Sequence, residues 1–141
     1  MPEDMQTLLE VARWTLNHQN RRSILRQLAK TEENYLLLIR ELERVESQRF
    51  RAQTLRAEAT LTLVEWLETL NAFHWSCAYC QSKPFEVMSH YLPLPEGGTT
   101  ATNCVPACHR YGRFCKREDE RIRAYLAVVH THKQHGAASP P

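Results

Sequence analysis

Between Pro2 and Pro84 the chain contains neither proline nor glycine, whereas all four glycines and six of the seven prolines lie from Pro84 onward. These two residue types are the main interrupters of helices. Their absence over more than eighty positions predicts a mostly helical first half. We predict helices near residues 3–17 and 22–72, and we leave open whether the second is broken.

A seven-residue repeat of mostly apolar positions runs through the longer predicted helix: Leu38, Val45, Ala52, Ala59 and Trp66, with Leu42, Leu63 and Leu70 four residues after members of the series. This spacing is typical of helices that lie along one another. A straight helix over 22–72 would be about 75 Å long, too long to bury its apolar stripe against a domain of this size. We predict that this part either pairs with a second copy or another helical protein, or folds back as an intramolecular hairpin.

Composition excludes some classes of protein. With 141 residues the chain is long enough for one compact domain and an extension. A formal charge of +2 is too small to indicate a nucleic-acid or membrane partner by itself. No apolar run approaches the roughly 20 residues of a membrane helix, and the acidic start Met1-Pro2-Glu3-Asp4 differs from a signal peptide. We therefore expect a soluble, cytoplasmic protein without a membrane partner.

The second half contains the residues with distinctive chemistry. Five cysteines in a chain expected to be intracellular favour metal binding over disulfides. Cys77-Ala78-Tyr79-Cys80 has the spacing of a zinc knuckle, in which backbone amides help to compensate the charge of two thiolates. The same spacing occurs in redox pairs, but the alternating strands and helices of such proteins are missing around it. The remaining alternative is that no zinc binds and the cysteines are buried thiols.

Further motifs follow the knuckle in a fixed order: Ser89-His90-Tyr91-Leu92-Pro93, Gly97-Gly98, Asn103, and Val105-Pro106-Ala107-Cys108-His109-Arg110. In order and spacing, residues 73–118 resemble the HNH endonuclease family, the zinc-stapled ββα-metal nucleases. The resemblance does not extend to the first half of the chain. Together with the helical first half predicted above, it implies an α+β fold, mainly helical, with a long N-terminal helical arm followed by a small zinc-bound ββα (HNH-like) module and a C-terminal helix.

The resemblance assigns roles to individual positions. His90 aligns with the general base that activates the attacking water, a role that its near-neutral titration suits. Asn103 aligns with the residue that orients the loop of that histidine, and Gly97-Gly98 with the turn between the strands. Cys77, Cys80 and Cys108 align with three of four ligands of a structural Zn²⁺.

Two positions depart from the family pattern where it holds its catalytic ion. Ser89 stands where an Asp, Glu or His usually precedes the catalytic histidine, and Gly112 stands where the family has a ligating Asn or His. A hydroxyl is a poor ligand for a hard cation, and glycine has no side chain. If the protein is active, His109 or a carboxylate from elsewhere would have to hold a catalytic Mg²⁺, Mn²⁺ or Ni²⁺.

The fourth zinc cysteine is also displaced, because Tyr111 stands at its usual position. Cys115 lies one helical turn beyond Tyr111 and is the preferred replacement. Cys104 and His109 are the alternatives.

Basic residues cluster after the last motif, at Arg110, Arg113, Lys116 and Arg117. The family packs the start of its helix against a phosphate backbone here, so these residues are candidates for salt-dependent contact with nucleic acid, DNA before RNA. Glu118, Asp119 and Glu120 follow immediately, which also fits an ordinary exposed helix start.

Two functions are therefore predicted. The first is a nucleic-acid-binding zinc protein with weakened or lost nuclease activity and a helical oligomerisation arm. The second is an active HNH endonuclease or nickase, with His90 as the base and Asn103 and His109 assisting. We divide the chain into residues 1–72, 73–118 and 119–141, and expect strands near 85–91 and 99–105 and a closing helix near 114–131.

Overall fold

The computed structural model describes residues 2–18, 22–110 and 119–138, the last six without their side chains. Five helices and one small sheet occur among them: α1 (Met5–Thr15), α2 (Arg22–Ala29), α3 (Glu32–Thr54), α4 (Leu63–Ala72), β1 (Val87–His90), β2 (Cys104–Ala107) and α5 (Glu120–Ala138). The predicted mainly helical α+β class is confirmed. None of the helices in these three ranges is long and apolar enough to cross a membrane.

The region from 22 to 72 is three helices rather than one. Threonine side chains begin two of them: the hydroxyl of Thr31 accepts from the amide of Asn34, and Thr62 forms a capping box with Glu65. The preceding helices end near Lys30 and Arg56, both with positive φ angles, of 71° and 60°. These left-handed residues turn the chain without glycine or proline.

The helices pack against one another within the chain. α1 contacts α2, α3 and α4, and α3 contacts α2 and α4. Residues of the seven-residue series are buried in this packing, among them Leu38, Val45, Ala52 and Trp66. The chain thus folds back on itself, the second of the two alternatives for this region. Pairing with another chain through 22–72 stays a prediction.

The sheet packs on the helices. β1 and β2 are antiparallel, with Val87 opposite Ala107 and His90 opposite Cys104. Met88 and Cys104 are buried in the same apolar cluster as the helical half. Because this core is shared, the position of the sheet depends on the helices that support it.

The second strand begins later than predicted. Residues 99–105 were expected to form it, but only Cys104 and Val105 of that range lie in β2. The reason is that the backbone of Thr99 pairs instead with the linker between α3 and α4: it donates to the carbonyl of Glu58 and accepts from the amides of Thr60 and Leu61. The first strand was predicted near residues 85–91, and β1 (Val87–His90) lies within that range.

The C-terminal helix is also shifted relative to the prediction of 114–131. Its described part begins after Asp119, whose side chain accepts from the amide of Ile122 at 3.0 Å and so caps it. It continues to Ala138. Residues 114–118 lie outside the described residues. Ile122 and Leu126 are buried against Ala78 and Val105, as the helical spacing predicted.

Candidate metal centre

The first two cysteines lie in a tight turn. The amide of Cys77 donates to the carbonyl of Lys83 at 2.8 Å, and the amide of Gln81 donates to the carbonyl of Cys77 at 2.9 Å. The amide of Cys80 points to the sulfur of Cys77 at 3.5 Å. This is the backbone arrangement expected of a zinc knuckle, in which amides face the thiolates.

Contacts from other elements fix the knuckle in place. The amide of Ala78 donates to the carbonyl of Pro106 in β2 at 2.8 Å. From α5, the guanidinium of Arg121 donates to the carbonyl of Ala78 at 2.7 Å. These contacts hold the knuckle beside the end of β2, and Cys108 follows directly after that strand.

The sulfur atoms of Cys77, Cys80 and Cys108 all lie within 4.8 Å of one another. A zinc ion with Zn–S bonds of about 2.3 Å would place its sulfur ligands roughly 3.8 Å apart. The cluster therefore needs only a small contraction to close around an ion. Cys77 and Cys108 are buried and Cys80 is half-buried. These three residues can hold a metal ion.

The electrostatic environment differs between the cysteines of the cluster and favours the thiolate at Cys80. Burial raises the pKa of Cys77, although amide groups of Cys80, Cys108 and Tyr79 oppose that rise. Burial acts in the same direction on Cys80, but hydrogen bonds from Ser82 and Lys83 outweigh it and lower the pKa of Cys80 to about 6. Donors directed at sulfur favour the charged form, and that is the form that binds zinc.

The described residues do not place a fourth ligand in this cluster. Cys104 is fully buried in the shared apolar core, and burial raises its pKa to about 12. Nε2 of His109 is 3.6 Å from Oε2 of Glu86, and the backbone amide of His109 donates to Oε1 of the same residue. Cys115, the preferred fourth ligand, lies outside the described residues.

His90 lies at the other end of the sheet and is connected to α3 through Thr99. Its Nε2 is 2.9 Å from the hydroxyl oxygen of Thr99, and that hydroxyl donates to the carbonyl of Gln48 at 3.1 Å. The Thr99 hydroxyl has one proton, and it donates that proton to the carbonyl of Gln48. The hydroxyl oxygen must therefore accept from Nε2 of His90, so we assign the Nε2–H tautomer to His90. Burial, aided by the charge of Arg51, lowers the pKa of His90 to about 4.

Asn103 holds the loop that follows His90. Its amide nitrogen donates to the carbonyls of Leu92 and Gly98, both at 2.9 Å, and its side-chain oxygen accepts from the amide of Leu92 at 2.8 Å. A Cβ atom on Gly97 would lie 2.4 Å from the Asn103 amide nitrogen, so only glycine allows this close approach. Asn103 thereby connects Leu92 and Gly98, and its role in positioning His90 stays a prediction.

The three residues predicted to be catalytic are not brought together. His90 and Asn103 lie at one end of the sheet, whereas His109 follows the far end of β2. The register places that end about 10 Å away along the strands. Ser89 is buried, and the described residues contain no second group of three metal-ligating side chains at His90.

Of the four basic residues proposed to contact nucleic acid, Arg110 is exposed and lies two residues after Cys108. Arg113, Lys116 and Arg117 lie outside the described residues. The candidate interface is thus represented in the structure only by its first residue.

Sequence reasoning missed the partners of His90. Thr99 hydrogen-bonds to its ring, the carbonyl of Gln48 accepts from Thr99, and the charge of Arg51 lowers its pKa. Gln48 and Arg51 belong to α3. Local sequence carries no signal for such contacts, because Gln48 and Thr99 are 51 positions apart.

Comparison with known proteins adds no family assignment. No family model, no curated protein and no solved structure matches this chain.

The depressed pKa of His90 predicts how stability depends on pH. The imidazole binds a proton near 6.5 when the chain is unfolded and only near 4 when it is folded. The unfolded state therefore gains protons first, and we expect the free energy of unfolding to fall as the pH drops from about 6.5 to about 4. The contribution of His90 should be about 2 kcal/mol, after allowance for the solvent that reaches the ring.

Urea denaturation of zinc-loaded protein at several pH values would measure this, with His90→Gln as the reference. Protonation of the cysteine ligands affects both proteins, so their difference isolates His90. Identical pH dependence of the two proteins would contradict the assignment.

Proposed function

We propose that this chain is a zinc-bound, noncatalytic nucleic-acid-binding protein of the HNH type. The observation that carries the proposal is the cluster of Cys77, Cys80 and Cys108, with sulfurs within 4.8 Å of one another and amides directed at them. Cys115 completes a tetrahedral Zn²⁺ site in this proposal. The ion would be structural, since four thiolates leave it no open position for substrate.

Loss of nuclease activity is supported by the surroundings of His90. A base with a pKa of about 4 has little tendency to take a proton from water near neutral pH. Ser89 and Gly112 replace the residues that would hold a catalytic ion. Without that ion, the charge that develops on a scissile phosphate would lack its main stabilising group.

Nucleic-acid binding is supported by the basic residues that follow the metal centre. Arg110 is exposed, and the sequence adds Arg113, Lys116 and Arg117 within seven positions. A zinc ion between Cys80 and Cys108 would fix the start of this segment against the sheet. Lysine and arginine held in this way bind phosphates without reading base sequence.

An active nuclease or nickase is the second candidate. Two features of the surroundings of His90 favour it. Asn103 holds the loop after His90, and the Nε2–H tautomer leaves Nδ1 of His90 as an acceptor. A metal-bound water would have to approach Nδ1 for this function.

Cleavage and binding assays distinguish the two functions. The zinc-loaded protein is incubated with supercoiled and single-stranded DNA plus Mg²⁺, Mn²⁺ or Ni²⁺, beside His90→Ala. We expect retarded DNA and no cutting with either protein. Cutting that disappears in His90→Ala would instead establish the nuclease.

The salt dependence of binding tests the basic residues. Replacing Arg113 and Lys116 with Ala should reduce the slope of log affinity against log salt by about 2, because each phosphate contact contributes about one unit. The matched control replaces Arg22 and Arg26, exposed arginines of α2 that pair with Glu43 and Glu32. An unchanged slope in the first variant, or an equal reduction in the control, would contradict this interface.

A further inference from the structure

A cavity of about 620 Å³ lies between the residues before α1, the first half of α3 and the segment that leads into β1. Asn34 and Glu41 are buried in its lining, and Trp75 and Phe85 form an aromatic wall. Its size is in the usual range for ligand sites. None of the cysteines of the metal cluster lines it.

Glu41 is a buried carboxylate of which one oxygen accepts hydrogen bonds and the other accepts none. Its side chain is 1% exposed, and Oε1 accepts from Nε1 of Trp66 at 3.0 Å and from Nε of Arg44 at 2.8 Å. Oε2 has no hydrogen-bond partner among the described residues. Oε2 forms an ion pair with Arg40, whose Nε is 3.5 Å away on a side chain that is 65% exposed.

Trp75 supplies the complementary group. Its indole Nε1 is buried and has no acceptor within the described ranges. Two lining residues thus have an atom without a hydrogen bond: an acceptor, Oε2 of Glu41, which has only the 3.5 Å ion pair with Arg40, and a donor, Nε1 of Trp75. A buried polar atom without a hydrogen bond costs free energy. A ligand that supplies both a donor and an acceptor would satisfy them together.

The charge of the lining residues indicates whether the ligand is cationic, neutral or anionic. Five carboxylates line the cavity and only two cations do, Arg40 and Arg44, both of which already lie against Glu41. Glu3, Glu33 and Glu86 are exposed around it. This excess of negative charge favours a cationic ligand and repels phosphates.

One guanidinium group, that of Arg44, is already bound in the cavity lining. Arg44 lies over the ring of Phe85, 5.1 Å from its centroid, while it donates to Glu41. A planar cation can stack on an aromatic ring and donate to a carboxylate at the same time, which a compact ammonium does less well. The Trp75 ring, with its centroid 5.9 Å from that of Phe85, extends the same wall.

We propose that this cavity binds an arginine side chain of a peptide. The incoming guanidinium displaces the exposed Arg40 and donates to Oε2 of Glu41. A main-chain carbonyl of the same peptide accepts from Nε1 of Trp75. The partner is therefore a protein segment with an exposed arginine, bound at a site that the cysteines of the metal cluster do not line.

The test uses the zinc-loaded full chain and two peptides, acetyl-Gly-Arg-Gly-amide and its citrulline counterpart, titrated by calorimetry and by NMR of the indole N–H signals. Citrulline keeps the shape of arginine without its charge. We expect binding of the arginine peptide, a shift of the Trp75 indole signal, and affinity about tenfold weaker for citrulline. Equal affinities, or no binding at millimolar peptide, would overturn the proposal.

Variants then locate the site. Arg40→Ala should tighten binding about threefold, because it removes the competing exposed ion pair. Glu41→Gln should abolish binding, and because this buried change can unfold the chain, Trp75→Phe provides a second variant that keeps a ring and should weaken binding several-fold. Glu46→Gln, exposed on α3 and away from the lining, is the matched control. Unchanged affinity in both Arg40→Ala and Trp75→Phe would overturn the proposal.

Discussion

Replacing Cys108 with Ser is expected to remove zinc from the protein and to unfold the region that contains the sheet. Cys108 follows the end of β2 and its sulfur lies close to those of the knuckle, so the proposed zinc ion would link two segments that are 28 positions apart in the chain. β1 and β2 have four residues each, and a two-stranded sheet of this size is marginal by itself. Structural zinc contributes on the order of 10 kcal/mol to the folding of small metal-bound units, so this effect should exceed that of any single core substitution.

Zinc content by elemental analysis and denaturation of the same sample measure both consequences. Cys104→Ala is the matched control, because Cys104 is equally buried but packs in the apolar core rather than in the sulfur cluster. It should keep one zinc per chain and lose on the order of 1 kcal/mol of stability. Cys115→Ala tests the proposed fourth ligand and should lower zinc affinity. Full zinc retention in Cys108→Ser would contradict the metal centre.

Replacing Trp66 with Ala is expected to cost about 4 kcal/mol of unfolding free energy, the largest effect of a substitution outside the metal centre. The Trp66 side chain is fully buried in the core shared by the helices and the sheet. It also donates to Glu41, so its removal leaves a buried carboxylate with one donor fewer. Phe85, whose ring meets it edge-on at 6.1 Å between centroids, would lose its packing partner.

Urea denaturation of the zinc-loaded protein measures this loss. Trp66→Phe keeps most of the packing but removes the indole donor, and should cost about 2 kcal/mol. Phe50→Ala is the control, because Phe50 is 71% exposed on α3 and should change stability by less than about 0.5 kcal/mol. A loss in Trp66→Ala no larger than in Phe50→Ala would contradict the position of this core.

The helix boundaries show what local sequence can predict. The Thr62-x-x-Glu65 pattern is a capping box that can be recognised from sequence, and it begins α4 where the structure has it. Lys30 and Arg56 end helices in a left-handed conformation that such residues rarely adopt, so composition could not indicate them. The absence of glycine and proline correctly predicted helix, but it gave no indication that α2 and α3 end near Lys30 and Arg56.

The strand prediction failed where a distant segment competes for the backbone. Thr99 was expected to pair in β2, but its amide and carbonyl bond to residues 58, 60 and 61. A Cβ atom on Gly98 would lie 2.6 Å from the carbonyl oxygen of Glu58, so this close contact also depends on the glycine. The contact explains why the strand starts at Cys104.

The amino-acid sequence by itself determined the helical character of the first half and the three sulfur ligands of the candidate metal centre. Helix preference and a knuckle depend on residues a few positions apart, and the structure brings Cys108 to the other two cysteines. Only the tertiary structure decided that Cys104 packs in the core, that Thr99 connects His90 to α3, and that Glu41 and Trp75 line one cavity. Burial and electrostatic environment depend on which distant segments pack together, and no local pattern specifies that.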